Sequence, residues 1–234
     1  MNLSDYEAII FDCDGVLVDS EVIHIAVEQE LLADLGLTYD HQTYLSRFVG
    51  LSNADFYSQL ESDFASRVGG VFPPDFGQRL QEHLWPKIEA ELQPIDGVAQ
   101  LVEAFRGKVA VGSSAPIEKL TKKLAISGLT SLFSPHIYSV DHVKNGKPEP
   151  DLFLYAARQL DVQPERCVVI EDSVNGTLAA QAANMTTIGF IGGGHADAGL
   201  GDRLKANGAS FIASSHFEIM VLISASLTAP LSTT

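Results

Sequence analysis

The sequence predicts an α/β protein, a Rossmann-like parallel sheet interrupted near its start by an α-helical insertion. Three observations carry that expectation. Short apolar runs fall at 8–12, 109–113, 136–139, 167–171, 187–191 and 210–213. Stretches of helical apolar spacing separate the later runs, and strands alternating with helices build parallel sheets. The segment 20–94 instead carries helical patterns with no strand alternation.

The first run, Ile9-Ile10-Phe11, feeds Asp12-Cys13-Asp14-Gly15, which reads as a buried strand delivering two acids to a loop. In the insertion, Val22, Ile23, Ala26, Val27, Leu31 and Leu35 form one helical stripe, and Leu80, Leu84, Ile88 and Leu92 form a second at four-residue spacing. Such stripes are the core of a helical bundle. Trp85 followed by Pro86 marks a helix break within it. Further on, helices are expected over 116–126, 151–160, 174–183 and 216–227, with Pro116 in a first turn and Ser173 as a cap. The chain thus divides into a catalytic core of residues 1–19 and 95–234 and a helical domain of residues 20–94, hinged at 18–20 and 93–97. Gly192-Gly193-Gly194-His195 lacks the spacing of a nucleotide-binding turn and reads as a flexible surface loop, and 227–234 as a frayed tail.

The 234 residues are 46% hydrophobic, enough for a sizeable core beside a smaller domain. Thirty acidic against fifteen basic residues give a net charge of −15, which argues against nucleic acid or an anionic membrane as partner. No run of about 18 apolar residues appears, and Met1-Asn2-Leu3-Ser4-Asp5 lacks a basic secretory start. A cytoplasmic protein is expected. Cys13 and Cys167 lie in apolar strand patterns, where a buried free thiol is the ordinary state.

The chemistry sits at the strand ends. Two carboxylates at the tip of one hydrophobic strand repel each other unless a cation neutralises them, and hard oxygen ligands suit Mg²⁺, which takes one or two carboxylates with waters and phosphate oxygens. Three further segments repeat the sequence of strand, polar residue, then loop or helix start. These are Val109-Ala110-Val111-Gly112-Ser113-Ser114, Lys144-Asn145-Gly146-Lys147-Pro148-Glu149-Pro150-Asp151 and Cys167-Val168-Val169-Ile170-Glu171-Asp172-Ser173. Because the carboxyl ends of parallel strands converge on one crevice, all four polar ends are expected to meet.

Asp12-x-Asp14-Gly15, Ser113, Lys147-Pro148-x-Pro150-Asp151 and Glu171-Asp172 resemble, in type, order and spacing, the four motifs of the haloacid dehalogenase superfamily, in its sugar-phosphate phosphatase and β-phosphoglucomutase-like branch. The resemblance implies a Mg²⁺-dependent phosphatase acting on a small phosphorylated sugar, polyol or sugar acid through an aspartyl-phosphate. Asp12 is then the nucleophile, Asp14 the general acid and base, and Lys147 the cation beside the phosphate. Ser113 and the amides of Ser114 and Ala115 hold phosphate oxygens. The metal set is Asp12, Asp172, Glu171 and the Asp14 backbone carbonyl. The helical insertion becomes a cap that closes over the crevice, with His24 a cap-hinge histidine or merely solvated.

One departure and two rivals bear on the activity. A β-phosphoglucomutase carries Arg after its Gly-x-Ser loop to grip a second phosphate; here Gly50-Leu51-Ser52 is followed by Asn53, which favours a phosphatase over a mutase. Arg47, just ahead of that loop, is either a partner for a carboxylate or hydroxyl cluster or a surface charge. A dehalogenase has no departing oxygen to protonate and so no need of Asp14. A phosphoacceptor signalling module would leave the helical insertion unexplained. A small metabolite is the expected partner, and the chain a monomer or weak homo-oligomer.

Overall fold

The computed structural model describes residues 6–48 and 51–225. In chain order the elements are β1 (Ala8–Phe11), α1 (Ser20–Asp34), α2 (His41–Phe48), α3 (Asn53–Arg67), α4 (Phe76–Glu91), α5 (Val98–Ala104), β2 (Lys108–Ser113), α6 (Ile117–Ile126), α7 (Thr130–Phe133) and β3 (Ile137–Ser139). They continue with α8 (Asp151–Leu160), β4 (Cys167–Glu171), α9 (Val174–Ala182), β5 (Thr186–Phe190), α10 (Leu200–Ala206), β6 (Phe211–Ala213) and α11 (His216–Ala225). All six expected strands form, with ends displaced by at most one or two residues. The expected tail, 227–234, lies outside the described residues.

The six strands form one parallel sheet in the order β3-β2-β1-β4-β5-β6. The order reverses at β1, which pairs with β2 on one side and β4 on the other, so the crevice above its carboxyl end is where a doubly wound sheet binds ligands. Every residue of β1 and β4 is buried, which is why both read as unbroken apolar runs rather than alternating ones. On one face Leu152, Phe153, Ala156 and Leu160 of α8 pack with Ile10, Ala110 and Val169.

The chain divides into two compact units, residues 1–19 with 93–234, and residues 20–92. Where the chain leaves and re-enters the sheet unit, Val18 bridges Pro94 and the Ile95 amide donates to the Leu17 carbonyl at 2.9 Å. In the helical unit the stripe Leu80, Leu84, Ile88 and Leu92 is buried. Helix α4 runs unbroken through Pro86, contrary to the expected break. Buried residues on both sides of the proline hold the helix together although one backbone donor is missing. The stripe of α1 also differs from expectation, because Val22 faces solvent while Ile25 and Leu32 are buried with Ile23, Val27 and Leu31.

His216 opens α11 fully buried, its ring 4.6 Å from that of Phe190 and its Nδ1 donating to the Asp96 carbonyl at 3.2 Å. Burial lowers its pKa to about 4. The unfolded chain therefore takes up a proton below about pH 6.5 that the folded chain refuses, and stability is lost as pH falls from there toward 4. Between pH 7.5 and 5 this should cost about 2 kcal/mol. His216→Asn, which keeps a donor for Asp96, should lose less over that interval in urea denaturation; equal losses would show that His216 is not held neutral.

Candidate active site

The register of the sheet brings the polar strand ends together. Phe11 lies opposite both Val111 and Ile170, and the Asp12 amide donates to the Ile170 carbonyl at 2.9 Å, so Asp12 stands between the ends of β2 and β4. Lys147, in the segment before α8, points its ammonium into this gap. Its Nζ is 2.5 Å from Asp12 Oδ1 and 2.6 Å from Glu171 Oε1, and lies over the Phe153 ring at 4.8 Å. Lys147, Asp12, Glu171 and Asp172 are each at most about a tenth exposed.

Burial sets the electrostatics. The Asp12 carboxyl is pushed well above the usual range by desolvation; Lys147 opposes that rise, while Glu171, Asp172 and Asp14 add to it. Burial alone would lower the Lys147 pKa, but Asp12 and Glu171 reverse the effect and raise it. Lys147 is consequently a permanent cation. The thiol of Cys13 beside Asp12 is pushed well up by burial, and that of Cys167 up to about 12, so neither competes as a nucleophile.

Glu171 was expected among the metal ligands, but its carboxylate has other partners. Oε1 accepts from Lys147, and Oε2 accepts from the Ser173 amide and hydroxyl, each at 2.8 Å. Ser173 in turn caps α9, its Oγ accepting from the Gly176 amide. A side chain at Gly176 would lie 1.7 Å from Glu171 Oε1, so a glycine there gives the carboxylate its room. Glu171 therefore ties the Lys147 ammonium to the start of α9.

Gly15 has φ +76, which favours glycine, and a Cβ there would sit 1.9 Å from Asp172 Oδ2. The turn after Asp14 is thereby pressed against Asp172. Ser113 ends β2 buried, and its Oγ accepts from the Ala115 amide at 3.1 Å, while Ser114 is exposed. The α6 terminus is closed by Asp141, which accepts from the Ile117 amide at 2.7 Å.

Two site residues were not singled out in the sequence. Lys123 of α6 forms an ion pair with the Asp14 carboxylate. Its neighbours Lys119 and Lys122 make it look like one of several surface cations, and only the helix placement selects it. His195 contradicts the expected flexible surface loop: it is buried, with Nε2 3.2 Å from Asp172 Oδ2. The available signal was position, since its loop follows a parallel strand at the sheet's carboxyl edge.

The remaining expected residues lie in the helical unit. His24 Nδ1 is 3.4 Å from Glu28 Oε1. Arg47 was read as a cation for a substrate carboxylate or hydroxyl cluster or a surface charge; its guanidinium is partly exposed, paired with Asp63 at 2.9 and 3.2 Å and stacked over Phe48 and Tyr39. Gly50 and the side chain of Asn53 lie outside the described residues.

The donor set fits a hard divalent cation. Four carboxylates, Asp12, Asp14, Glu171 and Asp172, face two ammonium groups, Lys147 and Lys123, leaving a surplus of two negative charges. Among the described residues no group of three or more His, Cys, Asp or Glu side chains is arranged to hold a metal ion by itself. A pair of carboxylates supplemented by main-chain oxygen and water is how Mg²⁺ is usually held.

Residues 6–184 match the haloacid dehalogenase-like hydrolase family, and the chain belongs to it. It is a hydrolase, and several of the proteins it resembles are named phosphatases. It is 29% identical over 198 residues to the Escherichia coli 6-phosphogluconate phosphatase, covering 82% of this chain and 86% of that one. It is 30% identical over 185 residues to the E. coli fructose-1-phosphate phosphatase, covering 78% and 95%. A Deinococcus radiodurans family hydrolase, solved with bound phosphate and sodium, superposes with a TM-score of 0.83 at 36% identity, covering 95% of this chain and 96% of that one.

Lys147→Met should leave Asp12 and Glu171 buried without a cation. Removing one partner of a buried pair typically costs about 3–5 kcal/mol. The orphaned carboxylates would hold protons more tightly folded than unfolded, so the loss should grow as pH rises from 5 to 7.5. Denaturation in the presence of chelator measures it, and a pH-independent loss would contradict this electrostatic account.

Proposed function

We propose that the protein is a Mg²⁺-dependent phosphatase for a small phosphorylated sugar or polyol, working through an aspartyl-phosphate on Asp12. The carrying observation is the Asp12–Lys147–Glu171 cluster at the switch point of the sheet, with Asp172 beside it. Bound by Asp12, Asp172 and the Asp14 carbonyl, Mg²⁺ would supply the positive charge that lets a carboxylate approach a phosphate.

In this reading Asp12 attacks phosphorus in line and takes the phosphoryl group. Asp14 gives a proton to the departing alkoxide, then takes one from the water that cleaves the aspartyl-phosphate. Lys147 contributes a fixed cation, and Ser113 with the amides of Ser114 and Ala115 holds phosphate oxygens. Binding substrate would then require the Ala115 amide to exchange Ser113 Oγ for the ligand. Lys123 keeps the Asp14 side chain engaged away from the metal set.

Leaving-group recognition and closure are assigned to the helical unit as a cap. That unit contains a cavity of about 380 Å³ whose polar lining includes Glu21, His24, Glu28, Tyr44 and Tyr57. Tyr44 donates to the buried Glu28 carboxylate at 2.5 Å. Among the described residues this lining offers acids, hydroxyls and an imidazole with no Lys or Arg, which suits a neutral polyhydroxylated chain better than a carboxylate or a second phosphate. Arg47, Arg67 and Lys87 of the same unit are each paired with an acid, which further supports a phosphatase over a mutase.

Asp12→Asn should reduce phosphate release from sugar phosphates by at least about 10³-fold with the fold intact. Asp14→Asn should cripple sugar phosphates far more than activated aryl phosphates, whose leaving groups need no proton. Equal losses on both substrates would remove Asp14 from the acid role. With β-glucose 1-phosphate and catalytic bisphosphate, phosphate release should exceed isomerisation; the reverse would make the protein a mutase.

A further inference from the structure

The loop after β5 reaches back to the catalytic loop at three points. The Gly194 amide donates to Asp19 Oδ2 at 3.0 Å. A Cβ on Gly193 would lie 2.9 Å from the Gly15 carbonyl oxygen and 3.0 Å from the His195 ring. A Cβ on Gly15 would lie 2.6 Å from His195 Cε1 as well as 1.9 Å from Asp172 Oδ2. Two glycines are thus needed for the imidazole to lie between the Asp14–Gly15 turn and Asp172. The ring is buried, and its Nε2 is 3.2 Å from Asp172 Oδ2.

We infer that His195 is a positioning residue for Asp172, donating Nε2–H to Oδ2 and so fixing the rotation of a carboxylate that holds the divalent cation. The inference rests on the Mg²⁺ reading above. Hydrogen-bond partners of metal ligands characteristically contribute about 10–100-fold to metal affinity. The short, glycine-rich approach and the Asp19 anchor keep the ring in place, so the carboxylate is oriented before the metal arrives.

Gln and Met have similar volumes, but only Gln can place an N–H donor near the imidazole Nε2 position. The full-length wild type, His195→Gln and His195→Met are therefore compared by the rise in thermal unfolding midpoint during Mg²⁺ titration, and by the Mg²⁺ dependence of phosphate release. His195→Met should need about 10-fold or more Mg²⁺ for the same response, while His195→Gln stays close to the wild type. If Met and Gln behave alike, whether both normal or both weakened, His195 only packs and the inference is overturned. If the wild type itself does not respond to Mg²⁺, the metal reading fails and takes the inference with it.

Discussion

The contact on which the rest depends is the buried ammonium of Lys147 between Asp12 and Glu171. Parallel strands end together, so a sheet that places an acid at the tip of β1 and two more at the end of β4 concentrates like charge where water is scarce. Without a cation that arrangement opposes folding, as the upward pull on the Asp12 carboxyl shows. Lys147 offsets part of it, and Glu171 holds the ammonium while Ser173 and the first turn of α9 hold Glu171. On the proposed function the remaining negative charge would attract a divalent cation, and a protein of net charge −15 would in this way accept a phosphate ester at one point.

The helical unit distributes charge in the opposite manner. Three of its four cations are paired internally, Arg47 and Arg67 with Asp63 and Lys87 with Glu30, while its cavity is lined by acids, hydroxyls and rings. In the proposed function the sheet unit would supply the positive charge for the phosphate and the helical unit the hydroxyl-recognising groups, so that selectivity for the leaving group could vary without disturbing the charge balance at Asp12.

Residues that end a strand were legible in the sequence because a parallel sheet turns position along the chain into position in space. Asp12, Ser113, Glu171 and Asp172 could be placed on that ground, and Lys147 by its motif. Side chains that arrive from a helix flank or a later loop were not legible. Lys123 belongs to a lysine-rich turn of α6, and its direction toward Asp14 depends on how α6 docks. His195 follows three glycines, a composition that reads as slack until the contacts at Gly15 and Asp19 show why glycine is required. The pairing of Arg47 was not legible either, since its partner Asp63 lies on another helix. Pro86 misled for a similar reason, because burial on both sides of it outweighed the lost backbone bond.

On the mechanism proposed here, catalysis through Asp12 would consist of two in-line displacements at phosphorus, the first by the carboxylate and the second by water. The stereochemistry of the released phosphate reports this directly. A sugar phosphorothioate made chiral at phosphorus with ¹⁸O and hydrolysed in ¹⁷O-labelled water should yield thiophosphate of retained configuration. Inversion would mean that water attacks the substrate itself, and would contradict a phosphoryl group carried on Asp12.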